Sequence, residues 1–80
     1  MRLTKHQKNI LRILSFGGKI SHWWQESYED VTLADNEDNF YDIRIDTFRK
    51  LRDAELITRV KSPHDSCDFF VLSKAGEAKL

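Results

Sequence analysis

The stretch LTKHQKNILRILSFGGKISH, residues 3–22, predicts a capped helix that stops at a glycine pair and passes directly into a strand. Thr4 and Gln7 have the spacing of a capping box, in which each side chain binds the other residue's backbone N–H. Leu3, Gln7, Ile10, Leu11 and Leu14 fall on one helical face. Gly17-Gly18 supplies a left-handed helix stop, which glycine adopts without steric cost. This stretch is therefore expected to belong to a folded domain.

Length and composition favour a single small domain over residues 1–80. A domain of this size buries only about 60% of its unfolded surface, which leaves little material for a deep enzyme cleft. No apolar run approaches the roughly 20 residues needed to cross a bilayer. The N-terminus lacks the apolar stretch of a signal peptide, and Cys67, the single cysteine, cannot form an internal disulfide. A soluble cytoplasmic protein without membrane contact is expected.

The middle of the chain predicts two strands and a helix. Lys19–Trp24 has the β-branched and aromatic character of a strand, and Val31–Leu33 is expected to pair with it antiparallel across an acidic turn. The segment 35–39 breaks the pattern. A second helix is then predicted over Ile43–Ala54, with Asp42 as its cap. Its core side would consist of Ile45, Phe48 and Leu51.

The last third of the chain predicts a β-hairpin and a short helix. Leu56–Lys61 alternates in polarity, Ser62–Ser66 is a turn cluster, and Phe69–Leu72 is an apolar run. Ser73 is placed to cap a final helix that reaches Leu80, weakened by a glycine inside it. The order of helix, strand, helix, hairpin wing and short C-terminal helix indicates an α+β fold of winged-helix-like outline. Winged helices bind DNA and also dock proteins, so the outline alone names no function.

The net charge of zero hides a segregation along the sequence. Charged residues up to position 24 are all basic, those of 25–42 are all acidic, and the remainder is mixed with a basic excess before Pro63. Such blocks occur as solvated loops beside a basic face, and they also occur at binding surfaces. The acidic block consists of Glu26, Glu29, Asp30, Asp35, Glu37, Asp38 and Asp42.

Three spaced patterns along the chain carry a family resemblance. The first is the opening pattern of Leu3, Thr4, Gln7, Leu11, Leu14, Gly17-Gly18, Ile20 and His22, the second is Thr47–Leu51 with Leu56-Ile57, and the third is Phe70–Ser73 with Gly76. They are similar to the opening, to the central helix and wing, and to the closing strand and turn of the YjhX-like toxins, a family whose founding member is described as a topoisomerase I inhibitor paired with a bacterial antitoxin. The dense acidic run departs from the family's moderately polar hairpin. The resemblance implies a small inhibitor that binds a protein target, with an antitoxin as a second partner.

Two sets of residues are candidates for binding such a partner. Trp23 and Trp24 are adjacent in a predicted strand, so their side chains point to opposite faces. Exposed tryptophan is common among interface hot spots, although one ring could instead fill the core and the other lie over the first helix. The acidic residues Glu29, Asp30, Glu37 and Asp38 could present negative charge to the DNA channel of a target, or could form a flexible solvated loop.

A DNA-binding transcriptional regulator is the alternative hypothesis. Its candidate contacts are Lys5, Lys8, Arg12, Arg49, Lys50, Arg59 and Lys61. On the central helix, however, Asp46 with Lys50 and Arg49 with Asp53 have i,i+4 spacing, which would half neutralise the face that enters a groove. The stripe of Lys5, Lys8 and Arg12 is also compatible with a simple solvated helix face.

Catalysis and metal binding have little support in the sequence. His64 and Cys67 are three residues apart, but two ligands do not make a zinc site and no second cluster completes one. No nucleophilic triad and no phosphate-binding glycine loop is recognisable, and His22 is interpreted as a structural hydrogen-bonding residue. The expectation is a non-enzymatic, cofactor-free inhibitor of a DNA-processing enzyme such as topoisomerase I.

Overall fold

The computed structural model describes residues 2–80, which form three helices and five strands. The helices are α1 (Lys5–Ser15), α2 (Ile45–Asp53) and α3 (Lys74–Glu77). The strands are β1 (Lys19–Gln25), β2 (Tyr28–Ala34), β3 (Phe40–Asp42), β4 (Ile57–Val60) and β5 (Cys67–Leu72). They build one sheet in the order β3-β2-β1-β5-β4, and every neighbouring pair is antiparallel.

Helix α1 has the capping predicted from its sequence. Thr4 Oγ1 accepts from the Gln7 backbone N–H at 3.1 Å, and Gln7 Oε1 accepts from the Thr4 N–H at 2.9 Å. The helix stops because Gly17 has a φ of +96°, a region where an L side chain is strained. The N–H of Gly18 then donates to the Ile13 carbonyl, so the stop satisfies a free helix-end acceptor.

Helices α1 and α2 pack on the same face of the sheet, and α3 packs against α1. The core between the layers combines the apolar stripes of the helices with every second residue of the strands. This arrangement is expected, because side chains repeat their direction about every 3.6 residues in a helix and every two residues in a strand. Phe48 and Leu51 are buried as predicted, whereas Ile45 is half-buried. The buried cluster contains Ile10, Leu11, Leu14, Ile20, Val31, Leu33, Phe48, Leu51, Leu56, Ile57 and Phe70.

The predicted cap of the second helix was wrong. Asp42 pairs with Thr32 as the end of β3, so backbone pairing with β2 keeps the chain extended there. Helix α2 begins later, with Arg44 as an N-cap that makes no side-chain capping hydrogen bond. The acidic turn is also shorter than predicted, because Gln25 pairs with Tyr28 and Glu29 and Asp30 lie within β2.

The C-terminal hairpin is present, with β4 paired to β5. Strand β5 also pairs with β1, which joins both hairpins into one sheet. Ser73 caps α3 as predicted, by accepting from the Gly76 N–H at 3.0 Å, but the helix ends at Glu77 rather than Leu80. The described residues therefore form a small α+β domain with an antiparallel sheet. Within this class, the winged-helix assignment stays a prediction, and no helix of residues 2–80 has the length and apolarity to span a membrane.

Candidate protein-binding face

The sheet has one face that α1 and α2 leave uncovered. Along β1, Ile20 and His22 point toward the helices, where they meet Phe48 and Phe70. Because side chains alternate along a strand, Lys19, Ser21 and Trp23 point the other way. Cross-strand partners share a face, so the pairing registers identify the whole uncovered surface. This open face carries Phe40 and Asp42 of β3, Tyr28, Asp30 and Thr32 of β2, Lys19, Ser21, Trp23 and Gln25 of β1, Phe69 and Val71 of β5, and Thr58 and Val60 of β4. Ala34 and Cys67 share this face but are buried.

One half of the open face, on β1, β5 and β4, is apolar. Trp23, Phe69 and Val71 are half-buried by their neighbours, and Val60 is exposed. The imidazole of His64, in the β4–β5 loop, lies 5.2 Å from the Trp23 ring centroid. The Lys19 ammonium lies 4.4 Å above the centre of Phe69, a cation–π geometry. This apolar half consists of Trp23, Phe69, Val71 and Val60.

Cys67 shares this face of the sheet but is buried, so its thiol is not available as a metal ligand. It faces Trp23 in the register and is only 2% exposed. Burial raises the pKa of its thiol, which lowers the thiolate fraction at neutral pH. His64, in contrast, is exposed. Within residues 2–80 no group of three His, Cys, Asp or Glu side chains has the geometry of a metal site.

The other half of the open face, on β2 and β3, carries two exposed carboxylates beside the exposed rings of Tyr28 and Phe40. Asp30 and Asp42 are both exposed, and they lie diagonally across the β2–β3 pair. Tyr28 donates its hydroxyl to Asp30 at 3.3 Å. Loss of solvent around the phenol and the nearby Asp30 charge raise the pKa of Tyr28. We call this half the acidic half after its two carboxylates, Asp30 and Asp42.

The loop between β2 and β3 is held by Asp35. Its Oδ1 accepts from the Glu37 and Asn39 backbone N–H groups at 2.8 and 3.0 Å, and its Oδ2 accepts from the Asn39 amide and the Tyr41 hydroxyl. The Asn39 N–H is the main reason why the pKa of Asp35 is lowered, and the hydrogen bond to Asp35 raises the pKa of Tyr41. Glu37 and Asp38 are exposed on this hydrogen-bonded loop.

The two tryptophans point to opposite faces, as predicted, and neither belongs to the buried cluster. Trp23 lies on the open face. Trp24 lies on the helix side, 38% exposed, with its ring 5.7 Å from that of His22. The alternative in which one ring fills the core is therefore wrong, because the core is already filled by Phe48 and Phe70, whose rings pack edge to face.

Glu29 is on the helix side of the sheet and is engaged within the protein. Its Oε1 accepts from the Arg49 guanidinium at 2.6 Å, which ties β2 to α2. Its Oε2 lies 3.5 Å from His22 Nε2. That nitrogen is buried without a hydrogen-bond partner, so the predicted hydrogen-bonding role of His22 is not realised at Nε2. Glu29 is therefore separated from Asp30, Glu37 and Asp38, which face solvent elsewhere.

The predicted i,i+4 pairs along α2 are not formed. Arg49 binds Glu29 instead of Asp53, and Asp53 binds the adjacent Arg52 at 3.3 Å. Asp46 binds Arg44 at 3.1 Å, while Lys50 has no ion pair in the described part of the chain. The cause is the position of β2, which brings a carboxylate within reach of Arg49. Arg59 on β4 is also engaged, by Asp68 at 3.0 Å.

The remaining basic candidates lie apart from the open face. Lys5, Lys8 and Arg12 are exposed along one side of α1 and form no ion pair among residues 2–80. Lys61 is exposed just after β4. The α1 cations thus form a group of their own, whereas Arg59 is already paired with Asp68.

Sequence reasoning missed the four aliphatic and phenylalanine side chains of the open face, namely Phe40, Val60, Phe69 and Val71. Phe69–Leu72 was treated as one apolar run, yet alternation places Phe70 in the core and Phe69 on the open face. The signal was the period of two, which identifies opposite faces but not which one a helix covers. Phe40 was missed together with the short strand β3. No protein-family profile, curated protein or solved structure matches this chain.

Proposed function

We propose that this protein is a small protein-binding inhibitor, comparable to the toxin of a bacterial toxin–antitoxin pair, and that it docks on its target through the open face. The observation that carries the proposal is an apolar cluster with an exposed acidic neighbour on a sheet face that no helix covers. Apolar patches rimmed by polar residues typically mark interaction sites. A central tryptophan is the side-chain type most enriched at interface hot spots.

The chemistry of the face favours a basic target. Asp30 and Asp42 lie on one side of the apolar half, and Glu37 and Asp38 add negative charge in the β2–β3 loop. A DNA-processing enzyme such as topoisomerase I has a positively charged DNA-binding surface, which attracts such a face and speeds association. The resemblance to the YjhX-like family supplies the enzyme class. An antitoxin would then be a second protein partner, and both would act in the cytoplasm.

A DNA-binding regulator is the second proposal, because one observation favours it. Lys5, Lys8 and Arg12 form an exposed basic stripe on α1 without internal ion pairs among the described residues. On α2, however, Arg44, Arg49 and Arg52 already bind carboxylates, which leaves few free donors for base edges. Nonspecific and strongly salt-dependent DNA contact is the expected extent of this activity.

The deciding experiment is an affinity capture from bacterial lysate with and without nuclease, combined with growth inhibition on induction. Trp23→Ser and Phe69→Ser are expected to abolish both capture and inhibition while circular dichroism shows an unchanged fold. Phe16→Ser is the matched control, since Phe16 is 69% exposed and is the C-cap residue of α1 rather than part of the open face. A plasmid-relaxation assay with purified topoisomerase I then tests the target.

Each result has a defined meaning. Capture that disappears with nuclease, or a sequence-selective gel shift at nanomolar protein, overturns the inhibitor in favour of the regulator. Wild-type inhibition by both open-face variants refutes docking through this face. Capture of a protein without any effect on plasmid relaxation keeps the inhibitor and removes topoisomerase I as its target.

A further inference from the structure

We propose that the open face receives a cationic amphipathic helix of the target, with its apolar stripe on the apolar half and its Lys or Arg side chains over the acidic half. This inference rests on the proposed function and specifies the chemistry of the partner. It follows from the division of the face into two halves that lie side by side across the strands. The division is set by the strand order, which puts β4, β5 and β1 on one side and β2 and β3 on the other.

The dimensions of the two halves fit a single helix. From β4 to β1 there are two strand spacings of about 4.8 Å each, which gives a strip about 10 Å wide. An α-helix with its side chains has a diameter of about 10–12 Å. The acidic half begins one strand spacing beyond β1, within reach of the Lys and Arg side chains that flank an apolar helical stripe.

The charge of the open face argues against two other occupants, a second copy of this chain and a nucleic acid. A second copy of this chain in an isologous dimer would bury Asp30 and Asp42 of both copies in one interface, against the single Lys19 of each. A nucleic acid would place phosphates beside the same carboxylates. A cationic helix instead pairs with Asp30 and Asp42 and covers Trp23 and Phe69.

Lys19 gives the proposal a specific signature. Its ammonium lies over Phe69, 4.4 Å from the ring centre, on the border of the apolar half. A cationic helix that covers Phe69 must displace the Lys19 side chain and is repelled by its positive charge. Removing the charge by Lys19→Gln is therefore expected to strengthen binding, whereas it would weaken the binding of an acidic or nucleic-acid partner.

The test uses a designed 18-residue Leu/Lys peptide with leucines at i, i+3, i+4 and i+7, measured by calorimetry and tryptophan fluorescence. A Leu/Glu peptide of the same pattern and a shuffled Leu/Lys peptide without the stripe are the comparison probes. Binding is expected for the first peptide alone. Asp30→Asn with Asp42→Asn should weaken it about twofold to thirtyfold, the loss expected for two exposed charge pairs.

The matched control removes two negative charges elsewhere, by Glu55→Gln with Glu77→Gln, two exposed residues outside the open face.

Equal weakening by the control pair, binding of the Leu/Glu peptide, or no binding at all would overturn the inference. A dimer in sedimentation that Trp23→Ser dissociates would assign the face to a second copy. If open-face variants lose growth inhibition but the Leu/Lys peptide does not bind, the occupant is wrong and the proposed function stands. If those variants keep growth inhibition, the proposed function fails, whatever the peptide does.

Discussion

Replacing Gly76 by alanine is expected to destabilise the domain, although this change strengthens most helices. The helix-propensity gain is about 0.5–1 kcal/mol. Against it, the new methyl group would overlap the carbonyl oxygen of Leu56 and lie 2.6 Å from Leu72 Cδ1. The Leu56 carbonyl cannot move freely, because it accepts a hydrogen bond from the Ser73 N–H at 3.1 Å.

The magnitude follows from these opposing terms. Overpacking a close contact costs about 1–3 kcal/mol, and a backbone neighbour places the cost at the upper end of that range. The net loss is expected to be about 2 kcal/mol, which lowers the Tm of a domain this small by about 8–16 °C. The assay is thermal and urea unfolding followed by circular dichroism.

Gly17 provides the matched control, because glycine is required there by backbone conformation and not by close packing. An added Cβ at Gly17 meets nothing closer than 3.5 Å, but φ is +96°, so the cost is backbone strain of about 1–2 kcal/mol. Gly17→Asn should recover part of the loss of Gly17→Ala, since Asn tolerates left-handed backbone. Gly76→Asn should recover nothing. A Gly76→Ala protein as stable as wild type would refute the packing argument.

Three further predictions concern the candidate site and its surroundings. The Cys67 thiol is buried and has a raised pKa, so it should react with a disulfide reagent only as fast as the protein unfolds. Trp23→Ala should accelerate this reaction. Rapid labelling of the wild-type protein at pH 8 would contradict the burial of Cys67. The hydrogen bond from the Tyr41 hydroxyl to Asp35 contributes stability below pH 10, and this stability is lost as pH rises through the raised pKa of Tyr41. In a Tyr28→Phe background, Asp35→Asn should therefore lower the pH at which the Tyr41 phenolate appears in the ultraviolet spectrum. An unchanged titration would show that the hydrogen bond is absent in solution. The ion pair between Glu29 and Arg49 is partly exposed, with side-chain exposures of 31% and 52%. A double-mutant cycle with Glu29→Gln and Arg49→Gln should therefore give a coupling free energy of about 0.2–1 kcal/mol. A coupling that is as large in 1 M salt would contradict a solvent-screened pair.

The sequence by itself determined the local features of this protein. The Thr4 and Gln7 box, the Gly17 stop, the Ser73 cap and the β4–β5 hairpin depend on residues close in the chain, so spacing alone predicts them. The opposite directions of Trp23 and Trp24 follow from strand geometry in the same way.

Only the tertiary structure decided the features that join distant segments. Strand β3 forms because β2 offers an edge to pair with, and this pairing displaced the predicted cap at Asp42. The ion pair between Glu29 and Arg49 spans 20 residues and replaced the predicted pairs along α2. Which face of the sheet stays open was likewise fixed by the packing of α1 and α2, because alternation defines two faces of a strand but does not say which one the helices cover.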